Sequence, residues 1–194
     1  KLEELFPGKF VFEESRDSFD YCYTQEKLTE LRGRKLSSKR NHINHFLAAY
    51  SDWNYEPINE SNKEDCKAMS LDWYRSRKEA TGEDMENERL AIFKALDNFE
   101  AENLLGGLLR VEGKVVAFTM GHPVRDDVIV VHFEKADLNY IGSYQMINQQ
   151  FAKNSCQQFR LMNREDDMGI ENLRKAKMSY FPTEIRNKYL AQSR

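Results

Sequence analysis

The sequence has no long apolar run, few cysteines and no excess of basic residues, and each shortage excludes a class of protein. No stretch approaches the ~20 consecutive apolar residues of a membrane-spanning helix, so we predict no integral membrane segment. Cys22, Cys66 and Cys156 are an odd number and lie far apart, which argues against a disulfide framework or a zinc cluster and indicates a reducing, cytoplasmic compartment. A net charge of -3 argues against a protein that coats DNA.

What the sequence does contain is typical of one globular domain. With 194 residues, 40% hydrophobic and 31% charged, the chain can bury about 70% of the surface that its unfolded form exposes. No repeat or low-complexity tract divides it. It begins at Lys1 rather than at a methionine, so we expect a fragment of a longer protein.

The pattern of apolar residues changes about halfway along the chain. Short extended segments are predicted at 10–14 and 19–24, helices at 26–31, 37–50, 61–80 and 84–99, and a strand at 54–57. Ser61 followed by Glu64 predicts a capping box at the third helix. Apolar runs at 107–111, 115–122 and 128–134 then indicate an antiparallel meander. A helix at 143–153, a strand at 159–163 and a helix at 170–179 follow.

The strand–helix–strand order after residue 128 indicates the fold. A helical crossover of this length makes the strands at 128–134 and 159–163 parallel neighbours. We therefore predict an α/β (α+β) fold with a mixed, mainly antiparallel central sheet and helices on both faces. The sheet is expected to splay between the two parallel strands, where Glu134, Tyr140 and Asn163 would converge on a cleft.

Five blocks of sequence resemble a known family. They are KLSSKRNHINHF (35–46), VHFEKAD (131–137), GSYQMINQ (142–149), NREDDMG (163–169) and LRKAK (173–177). The resemblance extends over nearly the whole chain from about Phe10. The sequence resembles an uncharacterised bacterial family that is grouped with the C-terminal domain of phosphatidylglycerol lysyltransferases, which has a GNAT-like acyltransferase fold.

The resemblance implies both an organisation and a reaction. Family members look like two tandem GNAT-like units, so residues 25–194 would be one such domain and residues 1–24 a connector or remnant of a preceding unit. The implied reaction moves an activated acyl or aminoacyl group to an amine or hydroxyl acceptor. Its donor would be a small molecule or borne by tRNA, as in acyl-CoA or aminoacyl-tRNA. The membrane enzymes of the family pass an aminoacyl group from tRNA to a lipid head group.

The loop at 137–143 is the first candidate site. Gly142 and Ser143 lie where a helix begins, and backbone N–H groups at such a position can bind phosphate. In GNAT enzymes the corresponding loop, Q/R-x-x-G-x-G/A, holds the pyrophosphate of coenzyme A. Here Asn139 stands first and Tyr144 replaces the second glycine. An ordinary helix start is the alternative.

A basic segment is the second candidate. Residues 31–51 contain five lysines and arginines and no acid, and Lys35 and Lys39 share one helix face. If Ser37 caps the helix, Lys39 and Arg40 lie in the first turn, where cations oppose the helix dipole. We predict that Lys35, Lys39 and Arg40 bind a phosphate-bearing ligand. A solvated basic face is the alternative.

The strand at 128–134 carries the candidate acid–base chemistry. Alternation places His132 and Glu134 on one face and residues 131 and 133 on the other. The GNAT resemblance implies a general base near this strand that takes a proton from an attacking amine. Glu134 is the candidate base, with Tyr140 or Tyr144 as the acid. A salt bridge from Glu134 to a basic neighbour is the alternative.

The polar loop after the last predicted strand is the candidate substrate site. With His132, the side chains of Arg164, Glu165 and Asp166 are suited to hold the amino group of an aminoacyl substrate, or a hard cation through the carboxylates. Capping of the helix at 170–179 is the alternative. His42 and His45 form an H-x-x-H pair without an evident third ligand, so no metal site is predicted.

Three functions remain in competition at this point. The first is an acyl or aminoacyl transferase that uses direct attack, since no convincing Ser-His-Asp or Cys-His set is visible. The second is a catalytically inactive GNAT scaffold that binds a phosphate-bearing ligand. The third is an RNA-contacting domain that uses the stretch at 32–45, for which steep salt dependence would be the signature.

Overall fold

The computed structural model describes residues 1–76 and 83–194. The helices are α1 (Leu2–Leu5), α2 (Gln25–Glu30), α3 (Ser37–Ala49), α4 (Lys63–Ser76), α5 (Glu83–Asp97), α6 (Ser143–Ser155) and α7 (Glu171–Met178). The strands are β1 (Phe10–Glu14), β2 (Asp20–Thr24), β3 (Trp53–Pro57), β4 (Leu105–Val111), β5 (Lys114–Arg125), β6 (Val128–Ala136), β7 (Leu161–Asn163), β8 (Glu184–Arg186) and β9 (Tyr189–Ser193). The predicted elements appear in the predicted order, and α1, β8 and β9 are additional elements that were not predicted. The predicted helix end near residue 80 lies outside the described residues.

Seven strands form one mixed sheet in the order β3-β4-β5-β6-β7-β2-β8. Its strand pairs are antiparallel except β6 and β7, which are parallel, as the α6 crossover between them requires. β1 and β9 form a separate antiparallel pair. β2 falls within the predicted connector, yet it is an interior strand of the main sheet, and Tyr21 and Tyr23 on it are fully buried.

Helices cover both faces of this sheet. On one face α2, α3 and α6 pack together around a core that includes Phe46 and Phe151. On the other face α4 and α5 bury Ile92, Leu96 and Phe118. The predicted GNAT-like arrangement, a mainly antiparallel sheet between two helical layers, is therefore confirmed.

β6 and β7 separate after only three residue pairs. Their pairing ends where Val130 meets Asn163, while β6 continues to Ala136. The chain after β7 stays with β2, because the Arg164 N–H donates to the Tyr21 carbonyl at 2.9 Å. Residues 131–136 of β6 therefore face residues 164–166 across a gap that backbone hydrogen bonds do not close. We call this gap the β6–β7 opening, and it confirms the predicted splay.

A bulge in β6 lies at the start of the opening. Phe133 pairs with Met120 of β5 and Val131 pairs with Gly121, which leaves His132 as an extra residue. A Cβ on Gly121 would lie 2.0 Å from the Val130 carbonyl oxygen, so only glycine allows this close approach.

The bulge overturns the predicted alternation of faces along β6. Val131 belongs to the core beneath α6, and Glu134 also turns to this side, where the Asn148 side chain of α6 bonds to it. Phe133 packs on the opposite side against the α4–α5 core. The extra residue shifts the two-residue period by one, so the prediction that His132 and Glu134 share a face is wrong.

Both predicted helix caps are also wrong. The Ser61 hydroxyl donates to Asn59 Oδ1 at 2.6 Å, and Glu64 pairs with Lys67 at 2.7 Å, so no capping box forms. The Ser37 hydroxyl donates to a carbonyl three residues earlier at 2.8 Å, because a short 3-10 turn (Arg34–Leu36) leads directly into α3. In each case a turn just before the helix competes for the hydroxyl.

Candidate functional site

Two side-chain pairs span the β6–β7 opening. Arg164 Nη2 donates to Glu134 Oε1 at 2.7 Å, and His132 Nδ1 lies 2.9 Å from Glu165 Oε1. Each pair joins a residue of β6 to one that follows β7. Side chains therefore take the place of the missing backbone ladder, and the chemistry of the opening is theirs.

The His132–Glu165 pair extends into a short chain of hydrogen bonds. His122 Nδ1 of β5 lies 2.5 Å from His132 Nε2, and the two rings are stacked with their centres 4.7 Å apart. The Glu165 N–H donates to Asn163 Oδ1 at 2.9 Å, and Glu165 has a φ of 54°. This left-handed conformation is costly for a residue with a side chain, and it fixes where the carboxylate points.

This chain of groups can accept a proton from a bound substrate. The His132 side chain is 27% exposed and that of Glu165 41% exposed, so both are accessible. Glu165 beside His132 Nδ1 favours the tautomer that carries its proton there, which leaves His132 Nε2 to accept a hydrogen bond from His122 Nδ1. No hydrogen bond to His122 Nε2 is found among the described residues, so a substrate proton can enter the chain at that nitrogen. His122 was not among the predicted site residues. Its position across the sheet from Val130 is a register that only the paired structure shows.

The Glu134–Arg164 pair is the ion pair weighed above as the alternative to a general base. Both carboxylate oxygens of Glu134 are engaged, one by Arg164 and the other by Asn148 Nδ2 at 3.1 Å. The Arg164 guanidinium lies 5.8 Å from the Tyr23 ring centre and 5.2 Å from that of Tyr180. This buried, aromatic surrounding suits a positioning role for Glu134.

The predicted basic site divides into three separate environments. Arg40 donates to the carbonyl oxygens of Leu31 and Gly33, so its guanidinium ties the end of α2 to α3. Lys39 is 9% exposed, and its ammonium lies over the Tyr180 ring. Lys35 extends instead over the ring of Phe181. Arg40 and Lys39 therefore do not form the solvated basic face of the alternative.

The predicted phosphate loop is packed tightly at the start of α6. Gly142 has a φ of 78°, and a Cβ there would lie 2.2 Å from the His42 carbonyl oxygen of α3. The Ser143 hydroxyl donates to the Asp137 carbonyl, and its N–H donates to the Tyr140 carbonyl at 3.2 Å. Gly142 and Ser143 therefore serve the helix start, which is the alternative considered above.

The tyrosines and Asn163 do not converge on Glu134 as predicted. The Tyr140 ring packs 5.3 Å from that of Tyr50, and the Tyr144 hydroxyl accepts a hydrogen bond from Trp73. The Asn163 side chain donates to Asp20 in addition to receiving the Glu165 N–H. The β6–α6 turn carries the tyrosines past the end of the sheet, whereas Asn163 turns toward β2.

The end of the polar loop is a structural clamp. Asp167 is fully buried and accepts hydrogen bonds from Arg174 Nε and Nη2, each at 2.8 Å. It also accepts hydrogen bonds from the Tyr21 hydroxyl and from the Gly169 N–H. The Asp166 side chain bonds to the Met168 N–H within the same turn. Asp166 therefore shapes the loop that presents Glu165.

A cleft of about 290 Å³ lies beside the β6–α6 turn. Its lining includes the carboxylates of Asp72 and Asp137 and the ammonium of Lys114. Among the described lining residues, two acids stand against one base, which makes this cleft unsuited to a pyrophosphate.

Residues 1–76 and 83–194 contain no group of three or more His, Cys, Asp or Glu side chains able to bind a metal ion. The same residues also contain no helix both long and apolar enough to cross a bilayer.

Comparison with known proteins supports the resemblance read from the sequence. The family model "Phosphatidylglycerol lysyltransferase, C-terminal" matches residues 2–192. A conserved protein of unknown function from Bacteroides thetaiotaomicron is 44% identical, with a TM-score of 0.95, and the match covers 100% of this chain and 65% of that one. The L-PGS structure from Bacillus licheniformis is 15% identical with a TM-score of 0.65, covering 100% and 64% of the two chains, and it shares the fold.

A curated relative adds to this comparison. An uncharacterised protein of Mycoplasmoides gallisepticum is 27% identical over 181 residues, which are 90% of this chain and 56% of that protein. The chain thus spans less than two thirds of the length of these relatives. Because the family model covers almost the whole sequence, the chain belongs to the phosphatidylglycerol lysyltransferase C-terminal family.

Proposed function

We propose that this domain transfers an activated acyl or aminoacyl group to an amine or hydroxyl acceptor, and that the reaction takes place at the β6–β7 opening. The observation that carries the proposal is the His132–Glu165 pair, an accessible histidine aligned by a carboxylate at 2.9 Å. The fold and the family are compatible with such a transfer. His122 takes the substrate proton and passes its own Nδ1 proton to His132, and Glu165 orients the His132 ring.

The proposed step needs no covalent enzyme intermediate. The acceptor nitrogen or oxygen attacks the carbonyl carbon of the donor, while its proton passes to His122 Nε2 and the His122 Nδ1 proton moves to His132 Nε2. The tetrahedral intermediate then collapses, the bond from the carbonyl carbon to the leaving oxygen or sulfur breaks, and a proton returns through the two histidines to that leaving atom. Glu134 acts only by positioning Arg164, and Tyr140 and Tyr144 take no part in this step.

The proposed donor is an aminoacyl-tRNA, with acyl-CoA as the second donor class. The family name refers to lysyl transfer, and L-PGS is the name given to the structure with the same fold. The start of α6 is tightly packed, and Tyr144 occupies the second glycine position of the Q/R-x-x-G-x-G/A motif. Both features argue against a pyrophosphate-binding site there. The acceptor, and any role of further domains in the longer relatives, belong to the same proposal.

A cytoplasmic setting is also proposed. Cys22, Cys66 and Cys156 are all buried free thiols, and burial raises the pKa of each. Free thiols in these numbers are usual in proteins of a reducing compartment.

The test is a donor screen followed by turnover. Aminoacyl-tRNAs and acyl-CoA species are ranked by thermal shift, since a donor at 100 times its Kd adds about 2.7 kcal/mol of stability. Transfer from the best donor to amine and hydroxyl acceptors is then followed with radiolabelled acyl groups. We expect His132→Gln to slow transfer by about 10²- to 10⁴-fold.

The matched control is His45→Gln, which changes an exposed histidine of α3 and should leave the rate unchanged. A donor that binds but is never transferred would instead indicate the inactive binding module. Equal rates for the two histidine variants would remove His132 from the mechanism.

A further inference from the structure

Three cationic side chains are buried on the α6 side of the β6–β7 opening. Lys39 comes from α3, Arg164 from the loop after β7 and Lys177 from α7. Both lysines are only 9% exposed, and the Arg164 side chain is 12% exposed. Lysine and arginine are almost never buried to this degree without acidic partners, so the charges around them need to be counted.

Within the described residues, a single carboxylate makes an ion pair with the cluster. Glu134 pairs with Arg164 Nη2, but Arg164 Nη1 is buried and has no hydrogen-bond partner. The Lys177 ammonium is held by two backbone carbonyls, those of Arg164 at 2.6 Å and of Asp166. For the Lys39 ammonium the described residues provide the Tyr180 ring, 4.4 Å away, and neither a hydrogen bond nor an ion pair. Three cations therefore share one contacting carboxylate, while Glu165 and Asp166 act on Lys177 without forming an ion pair with it.

The burial of these cations close together affects the pKa values of both lysines. Burial, together with the neighbouring charge of Arg164, lowers the pKa of Lys39 and lowers that of Lys177 to about 8. An unmatched buried charge of this kind is relieved when an anion binds. A further buried atom without a partner, Asn148 Oδ1, lies on the other side of Glu134.

The approach to the cluster is basic as well. Tyr180 and Phe181 follow α7, and the Phe181 ring is exposed and lies 5.3 Å from the Lys35 ammonium. Lys27 bonds to the Phe181 carbonyl at 2.8 Å. Positive groups along an approach raise the local concentration of anions and speed their association.

We propose that Lys39, Arg164 and Lys177 form a binding site for a phosphate group of the acyl donor. The site differs from the one predicted from sequence. Arg40 is bonded to backbone carbonyls, and Lys39 is joined instead by Arg164, which follows β7, and by Lys177 of α7. Arg164 offers its unpaired Nη1, and the two ammonium groups act as point charges. Assignment to the donor rests on the proposed function. The phosphate would belong either to a coenzyme A or to the end of an RNA.

The test uses sulfate, whose charge does not change between pH 7 and pH 9. Calorimetric titration at low ionic strength should show sulfate binding to the unmodified chain at pH 7. Because the pKa of Lys177 is about 8, affinity should fall several-fold by pH 9. Lys39→Met, which keeps a long side chain against Tyr180, should weaken binding by at least tenfold. The matched control Lys94→Gln removes an exposed charge of α5, on the opposite face of the sheet, and should change affinity less than twofold.

A melting measurement separates loss of binding from loss of fold. Sulfate should raise the melting temperature of the unmodified chain above that in chloride at equal ionic strength, and this increment should vanish in Lys39→Met. Lys39→Met without sulfate should melt at least as high as the unmodified chain, because an unmatched buried charge has been removed. Equal sulfate affinity for Lys39→Met and Lys94→Gln, or no binding at all, would overturn the proposed site.

Competition identifies the source of the phosphate. Coenzyme A and a short single-stranded RNA are each titrated against bound sulfate. Displacement by one of them assigns the site to that donor class, and displacement by neither overturns the assignment to the donor. None of these titrations requires turnover, so a failed transfer assay and a failed anion site give different results.

Discussion

Several charged side chains in this protein are buried and are stabilised by hydrogen bonds or ion pairs. Asp167 is the clearest case, because it is fully buried yet accepts hydrogen bonds from Arg174, Tyr21 and the Gly169 N–H. The hydrogen bonds from Arg174 outweigh the effect of burial and hold the pKa of the Asp167 carboxyl well below its usual range. The carboxylate therefore stabilises the loop that presents Glu165.

We predict that the effect of Asp167→Asn on stability depends on pH. At pH 7 the change should lower the free energy of unfolding by about 2 kcal/mol, less than for a fully buried pair because Arg174 is one-third exposed. A depressed folded pKa gives stability that is complete above the unfolded value of ~3.9 and is lost as the pH falls toward the folded value. The difference from the unmodified chain should therefore shrink between pH 5 and pH 3 in urea unfolding.

The control for this change is Glu171→Gln, in an exposed pair with Lys175. It should alter stability by less than about 0.5 kcal/mol at either pH. A difference for Asp167→Asn that stays constant down to pH 3 would contradict the role given to its charge.

Elements of secondary structure were largely predictable from sequence, and their ends were less so. Apolar periodicity located the meander of β4, β5 and β6, and the crossover length predicted the parallel β6–β7 pair. The bulge at His132 was not predicted, because no pattern in the sequence of β6 alone indicates an extra residue. It depends on Gly121 in the neighbouring strand, where a side chain would strike the Val130 carbonyl.

The contact between α6 and α3 gives a prediction at this scale. Gly142 and Gly113 have nearly the same φ, 78° and 79°, but only Gly142 lies against another element, the His42 carbonyl of α3. Gly113→Ala should cost about 1 kcal/mol from backbone strain alone. Gly142→Ala should cost about 3 kcal/mol, since overpacking is added to that strain.

Thermal unfolding checks this pair of changes directly. A chain of this size loses roughly 2–4 °C per kcal/mol, so the two variants should differ by several degrees. Equal melting temperatures would show that α3 yields easily at this point and that the close approach is unimportant.

In the whole molecule, the proposed function is located at the β6–β7 opening. The His132–Glu165 pair lies on one side of the sheet there, and the Glu134–Arg164 pair lies on the other. The order of elements predicted the opening, and the resemblance predicted the family. Neither could predict that His132 and Glu134 diverge, or that His122 joins His132, since both depend on cross-strand register. The basic residues near the start of α3 were singled out from sequence, but the contact of Lys39 with Tyr180 depends on how the folded chain brings α3 and the end of α7 together.

The measurement that tests the central claim most directly is the nuclear magnetic resonance of the imidazole nitrogens. The chain has four histidines, His42, His45, His122 and His132, so each can be followed separately. A non-reactive analogue of the donor that is turned over should shift the His132 and His122 nitrogens at saturation and leave His45 unmoved. A saturated complex in which His132 keeps its unliganded shifts would show that the donor does not bind at the β6–β7 opening, and would contradict the account.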